Sequence, residues 1–212
     1  MDIKKYQVLK HKAEQGDVSA QYDLGIMLEY CGTSEALSWL SKAAEQGHLK
    51  AQCNLGRICY RIGKRYNKED YFYKAFYWFR KAAESNDPQA LNGLGKCYLH
   101  GYGVQNDNTE AVRLFRVAAQ KNDLEALCNL GKCFLYGLGV AQNIEEAKRL
   151  LFLAAEQDQT DALYELGESF LYGSNYGMGV KRNIDEAKKC FLLAARKGNY
   201  LAEEKLKKVF KI

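Results

Sequence analysis

The sequence predicts an all-α protein: an α-solenoid of five two-helix repeats with a cap helix at each end. Three observations predict it. The block Ala-x-x-x-Leu-Gly recurs five times, at Ala20, Ala51, Ala90, Ala126 and Ala162. Its starts lie 31, 39, 36 and 36 residues apart, within the range of periods that marks stacked repeats. A second block containing Ala-Ala follows each one, and the single proline, Pro88, against 18 glycines points to many helices with regular stops.

The elements follow in order. Residues 1–19 read as a lone second-type helix, because "HKAEQGD" keeps the register of "KAAEQGH" with Lys12 in place of an alanine. A polar residue suits a position that no further repeat covers. Five repeats follow, at 20–50, 51–89, 90–125, 126–161 and 162–201. Asp17, Asp87 and Asp123 stand three residues before an opening alanine, where a carboxylate caps the free N–H groups of a helix start. Pro88 falls at the first helical position, where its missing N–H costs nothing. In the first helix of a repeat, Ala126, Leu130 and Phe134 form an i, i+4, i+8 stripe; in the second, Ala147, Leu150, Leu151 and Ala154 do the same. Three residues after each Ala-Ala pair stands Gly47, Asn86, Asn122, Asp158 or Gly198, residue types that accept the left-handed backbone of a helix end. Residues 202–212 read as a lone first-type helix closing the array. A single hairpin cannot bury both of its stripes, so the hairpins must stack, and 1–212 is expected to be one domain.

The pattern A-x-x-x-L-G-x-x-[YF]-x-x-G-x-G-V, then KAA-x-x-G, resembles the Sel-1-like repeat, a relative of the tetratricopeptide repeat, and the resemblance covers nearly the whole chain. It implies a right-handed α/α superhelical solenoid. The third and fourth repeats fit best. The first lacks the G-x-G-V loop, the second has "IGKRYNKEDYFY" (62–73) instead, and the fifth inserts "SNYG" before Gly177. The resemblance also implies an adaptor that assembles protein complexes, often in bacterial signalling or bacterium–host contact.

The glycines are expected to be structural. Gly25, Gly56, Gly95, Gly131 and Gly167 sit mid-helix, at about 1 kcal/mol each relative to alanine, which calls for close approach of the paired helix. Gly101/Gly103, Gly137/Gly139 and Gly177/Gly179 allow a sharp reversal, after which Val104, Val140 and Val180 plug the loop onto the core. A phosphate-binding loop is the poorer reading. A dinucleotide fingerprint needs a preceding strand and a third glycine, and the third positions hold Asn106, Gln142 and Arg182.

Composition narrows the function classes. Hydrophobic residues make up 47% of the 212 residues and net charge is +5, so a buried core is feasible. No nucleic-acid partner is expected, with Lys and Arg spread along the chain apart from the tail Lys205, Lys207, Lys208 and Lys211. The seven cysteines include no C-x-x-C, and His11, His48 and His100 are far apart, so no metal or other cofactor is expected. The absence of a signal-like segment and the odd cysteine count predict a cytoplasmic protein with reduced thiols, leaderless export remaining open. No segment is long and apolar enough for a membrane span. No nucleophile, base and acid come together, so no enzymatic activity is expected. A monomer is favoured.

The binding surface is expected on the first helices, which line the concave side in related solenoids. Their outer stripes hold Cys53, Asn54, Arg57 and Arg61 in the second repeat and Asn92, Lys96 and His100 in the third. The fourth offers Cys128, Asn129, Lys132 and Tyr136, and the fifth Tyr172. An Asn one turn before Arg57, Lys96 or Lys132 suggests a ladder of donors for a carboxylate-bearing peptide or protein segment; a solvated polar face is the alternative. Charge reversal at both Arg57 and Lys132 is then expected to abolish binding of an acidic partner. The aromatic run Tyr66, Tyr71, Phe72, Tyr73, Phe76, Tyr77, Trp78 and Phe79 is read as mostly core, with Tyr66, Tyr71 and Tyr73 as a further contact point. The alternative function is an exported bacterial virulence or surface factor that binds a host protein.

Overall fold

The computed structural model describes residues 3–30, 35–157, 159–173 and 180–211. Cys31, Asp158, Gly177, Gly179 and the 174–177 insertion lie outside the described residues. Twelve α-helices occupy those described, and no strand occurs among them. They are α1 (Ile3–Glu14), α2 (Val18–Tyr30), α3 (Glu35–Glu45), α4 (Leu49–Tyr66), α5 (Glu69–Ala83) and α6 (Pro88–His100). Then come α7 (Asn108–Gln120), α8 (Leu124–Tyr136), α9 (Ile144–Glu156), α10 (Thr160–Tyr172), α11 (Ile184–Arg196) and α12 (Tyr200–Lys205), the last running into a π-helical turn, Leu206–Phe210. The helices gather into two compact units, one ending at Asn106 and one starting at Asp107. Within each unit, each helix packs on the next in the chain.

The helix ends are set as their side chains require. Asp17, Asp87 and Asp123 accept from the backbone N–H of Ala20, Ala90 and Ala126 at 2.7, 2.9 and 2.7 Å. The second helices carry caps of their own: Asp107, Asn143 and Asn183 accept from Glu110, Glu146 and Glu186 at 2.9, 3.0 and 3.1 Å. Each opens a D/N-x-x-E sequence. His48 caps α4 through Nδ1, 3.2 Å from the Ala51 N–H. The expected left-handed stops are present at Gly47, Asn86, Asn122 and Gly198. In the second repeat α4 runs on through 18 residues, and Asn67, at φ +49°, turns the chain straight into α5.

Four of the mid-helix glycines, Gly25, Gly56, Gly131 and Gly167, make room for side chains of the partner helix. A Cβ on Gly167 would lie 2.7 Å from the Phe191 ring, and one on Gly131 would lie 2.8 Å from Leu151 Cγ. Phe191 and Leu151 are both fully buried, so neither ring nor branch has free volume into which to retreat.

The described G-x-G loops, at Gly101/Gly103 and Gly137/Gly139, close onto protein: a Cβ on Gly103 or Gly139 would meet the backbone carbonyl of Phe72 or Asn108. Asn106, Gln142 and Arg182, at the third position of each loop, donate to the carbonyls of Leu99, Leu135 and Leu171 at 2.6, 2.8 and 3.1 Å. Those carbonyls belong to the last turn of α6, α8 and α10, where the helix leaves acceptors unpaired. The position that a dinucleotide loop reserves for glycine therefore holds a donor that finishes the preceding helix. Val180 is buried, as expected of a loop plug, whereas Val104 and Val140 are half-buried.

Candidate functional site

In the first unit, the outer face of α4 carries Arg57, Arg61 and Lys64 at i, i+4 and i+7, all exposed. The inner face of the same helix buries Ala51, Leu55, Ile58 and Cys59, and this contrast fixes the direction of the cations. Beside them α6 presents Lys96 and His100, one turn apart. Tyr60 joins the two helices. Its ring lies 4.8 Å from Lys96 Nζ and 5.6 Å, edge-on, from Tyr102. Tyr102 in turn stacks on Phe72 at 3.9 Å and neighbours the His100 ring at 5.2 Å. Phe72, Tyr102 and His100 border a cleft of about 510 Å³ whose walls also include Asn67, Glu69, Tyr73 and Gln105.

The charges on this face are unevenly compensated. Glu29, on α2, takes Arg61 at 3.1 Å. Arg57 donates to Asn54 Oδ1 at 3.4 Å, and Asn54 donates to the Tyr22 hydroxyl at 3.3 Å. Neither Arg57 nor Lys64 pairs with a carboxylate among the described residues. From Arg57 to Lys81 eight Lys and Arg stand against two acids, Glu69 and Asp70, while the whole chain carries only +5. The basic excess of the protein thus lies in this stretch, not evenly along the chain. Tyr66 and Tyr73 are exposed, 61% and 59%, and Tyr71 is half-buried; Phe72, Trp78 and Phe79 are buried core.

The second unit treats its expected site residues differently. Lys132 pairs with Glu165, the Tyr136 hydroxyl bonds Ser169 Oγ at 2.7 Å, and the Tyr172 hydroxyl accepts from Lys205 at 3.3 Å. These contacts tie α8 to α10 and α10 to α12. Asn129 is half-buried on α8.

Three residues expected on the outer stripes are interior. Asn92 is 2% exposed, and Cys53 and Cys128 are both 8% exposed. Within its own unit α4 packs on α3 and α5, α6 on α5 and α4, and α8 on α7 and α9, so the buried arc of each is wider than one stripe. Cys53 accordingly clusters with Ala82 on α5 and Ala90 on α6. The sequence reading missed Tyr60 and Tyr102; for Tyr60 the available signal was its spacing, three residues after Arg57 and four before Lys64 and so on the same side of the helix.

The described cysteines are poorly suited to nucleophilic chemistry. Burial pushes the Cys97 thiol up to about 12 and the Cys133 thiol up to about 11, leaving almost no thiolate near neutrality. Among the described residues no group of His, Cys, Asp and Glu could hold a metal ion, and no helix is long and apolar enough to cross a membrane.

Paired helices, glycine-gated packing and a polar outer face define a helical-repeat protein of the binding class. The chain belongs to the Sel1 repeat family, which matches five consecutive segments, 18–48, 49–87, 88–123, 124–159 and 160–199. These boundaries lie two residues before those expected from the alanines. Sel1 repeats are non-catalytic scaffolds that mediate protein–protein interaction. The chain is 35% identical over 109 residues to an ERAD-associated E3 ubiquitin-protein ligase component, HRD3B, of Arabidopsis thaliana, covering 48% of this chain and 16% of that one. Among solved structures it is similar to a protective antigen of uropathogenic Escherichia coli with an SLR fold (TM-score 0.66, 27% identity), covering 97% of this chain and 52% of that one. A Sel1 repeat protein from Oxalobacter formigenes is equally similar (TM-score 0.67, 26% identity), with 96% and 59% covered. The chain therefore spans about half of each of these two solved chains and a sixth of the plant relative.

Proposed function

We propose that this protein is an interaction scaffold that holds an acidic segment of a partner protein on the α4–α6 face. One observation carries the reading: Arg57 and Lys64 are exposed one turn to either side of Arg61 and have no carboxylate partner among the described residues, in the stretch that holds the chain's basic excess. Arg57, Arg61, Lys64 and Lys96 supply the charge, His100 stands one turn beyond Lys96, and Asn54 orients Arg57. Tyr60 and Tyr102, packed edge to face, supply apolar ring surface beside the cations, and arginine and tyrosine are the residue types that concentrate binding energy at interfaces. Lys132, Tyr136 and Tyr172 serve instead to hold their helices together. The six described cysteines are unpaired and buried, which supports work in a reducing compartment.

The test is affinity capture with the wild type and the double variant Arg57→Glu, Lys64→Glu, read by mass spectrometry and then with the purified partner. Two like-charge contacts cost several kcal/mol, so affinity should fall at least about thirtyfold while the melting temperature stays the same. Unchanged capture of an acidic partner would place binding elsewhere. A second reading, an exported surface factor, draws support from the E. coli antigen; export of the protein with its thiols oxidised would favour it.

A further inference from the structure

A second, separate site lies in the second unit, between α7, α8 and α9. There a cavity of about 330 Å³ opens at the surface. Leu127 and Leu150 form its floor and are buried, Phe134 is half-buried, and Leu153 at the rim is 38% exposed. Leu153 thus keeps apolar area facing water beside the apolar floor, where a partner side chain can seat.

The rim carries charge of one sign in excess. Arg149 grips Glu146 with both arms of its guanidinium, Nε at 2.8 Å and an NH2 group at 2.7 Å. Those hydrogen bonds hold the Glu146 carboxyl below its usual range against the opposing effect of burial, and the nearby Arg116 adds to them. Arg116 lies over the Phe134 ring at 5.6 Å and forms no ion pair of its own within 4 Å among the described residues. The lining of this apolar cavity thus holds two guanidiniums against one carboxylate, and only Arg149 bonds it. A second carboxylate would complete the set.

From this we infer that the α7–α8–α9 cavity captures a leucine-sized side chain whose neighbouring residue in a partner protein is Asp or Glu, the carboxylate meeting Arg116. The site is independent of the α4–α6 face, and each can fail without the other.

The experiment follows backbone amide shifts of the full chain, labelled with ¹⁵N, on adding blocked dipeptides. Ac-Glu-Leu-NH₂ should move the amides of Leu127, Phe134 and Leu153. Ac-Gln-Leu-NH₂ should bind about threefold more weakly, the scale of one partly exposed charge pair. Ac-Glu-Ala-NH₂ should bind more weakly by about tenfold, from the lost apolar burial. Arg116→Gln should remove the preference for Glu over Gln, and Leu153→Gln should weaken both leucine peptides together. Equal response to the Glu and Gln peptides, or no shift at those three amides, would overturn the inference. Tighter binding of N-acetyl-leucine with a free carboxylate would also overturn it, because the ligand would then be a chain terminus.

Discussion

Two glycines two residues apart separate backbone strain from lack of space. Gly137 and Gly139 have nearly the same φ, +69° and +67°. A Cβ on Gly137 would find its nearest atoms at 3.4 to 3.7 Å, ordinary contact. A Cβ on Gly139 would fall onto the backbone carbonyl of Asn108, with Thr109 N at 2.7 Å. Both alanine variants lose about 1–2 kcal/mol to the left-handed backbone, and both regain about 0.5 kcal/mol from a less flexible unfolded chain. Only Gly139→Ala must also displace the first turn of α7, and no rotamer change relieves a backbone collision. That adds about 1–3 kcal/mol. For a chain of this length the difference between the variants corresponds to roughly 2–12 °C in melting temperature. Urea and thermal unfolding followed by circular dichroism, with both variants in the same buffer, read it directly. Losses equal within about 0.5 kcal/mol would refute the claim that the second glycine exists for close packing of loop on helix.

Further expectations concern titration. The buried thiols Cys53, Cys97 and Cys190 are pushed up to about 12, in each case by burial first. The unfolded chain loses these protons near pH 8.5 and the folded chain does not. Their contribution is therefore complete below about pH 8.5 and is lost as pH rises from there to 12, by up to about 1.4 kcal/mol per thiol per pH unit. Urea midpoints measured from pH 7 to 10 should fall steeply, and less so when Cys97 is replaced by Ala; a flat profile would contradict the burial of these groups. His48 titrates with the opposite sign. Burial lowers its pKa, with Asp23 opposing and Lys50 assisting, and its neutral Nδ1 caps α4. Stability from this cap is present above about pH 6.5 and lost as pH falls below it, so His48→Asn, which keeps a cap that does not protonate, should flatten the profile between pH 7 and 5.

The fold was legible because each repeat restates the same local chemistry. Ala-x-x-x-Leu-Gly marks a helix that another side chain approaches closely, and Asp17, Asp87 and Asp123 mark helix starts through a short-range hydrogen bond. The caps at Asp107, Asn143 and Asn183 were equally local, and the Glu three residues on from each was their visible sign. The surface was less legible because it depends on neighbours one repeat away. Reading Arg57, Lys96 and Lys132 as one ladder overlooks that Glu165, 33 residues beyond Lys132, reaches its ammonium group. Asn92, Cys53 and Cys128 look outward on a helical wheel, yet a helix packed on two sides buries more than one stripe. Tyr60 and Tyr102 lie 42 residues apart, and only the turn that brings the loop after α6 beside α4 puts their rings together.

The most direct test of the binding face is a titration of the ¹⁵N-labelled protein with a decaglutamate peptide. The largest shifts should fall on Arg57, Tyr60, Arg61, Lys64 and Tyr102, and should collapse at about 0.5 M salt, where exposed charges are screened within a few ångströms. Shifts as large on α10 as on α4, or a response that salt leaves intact, would contradict it.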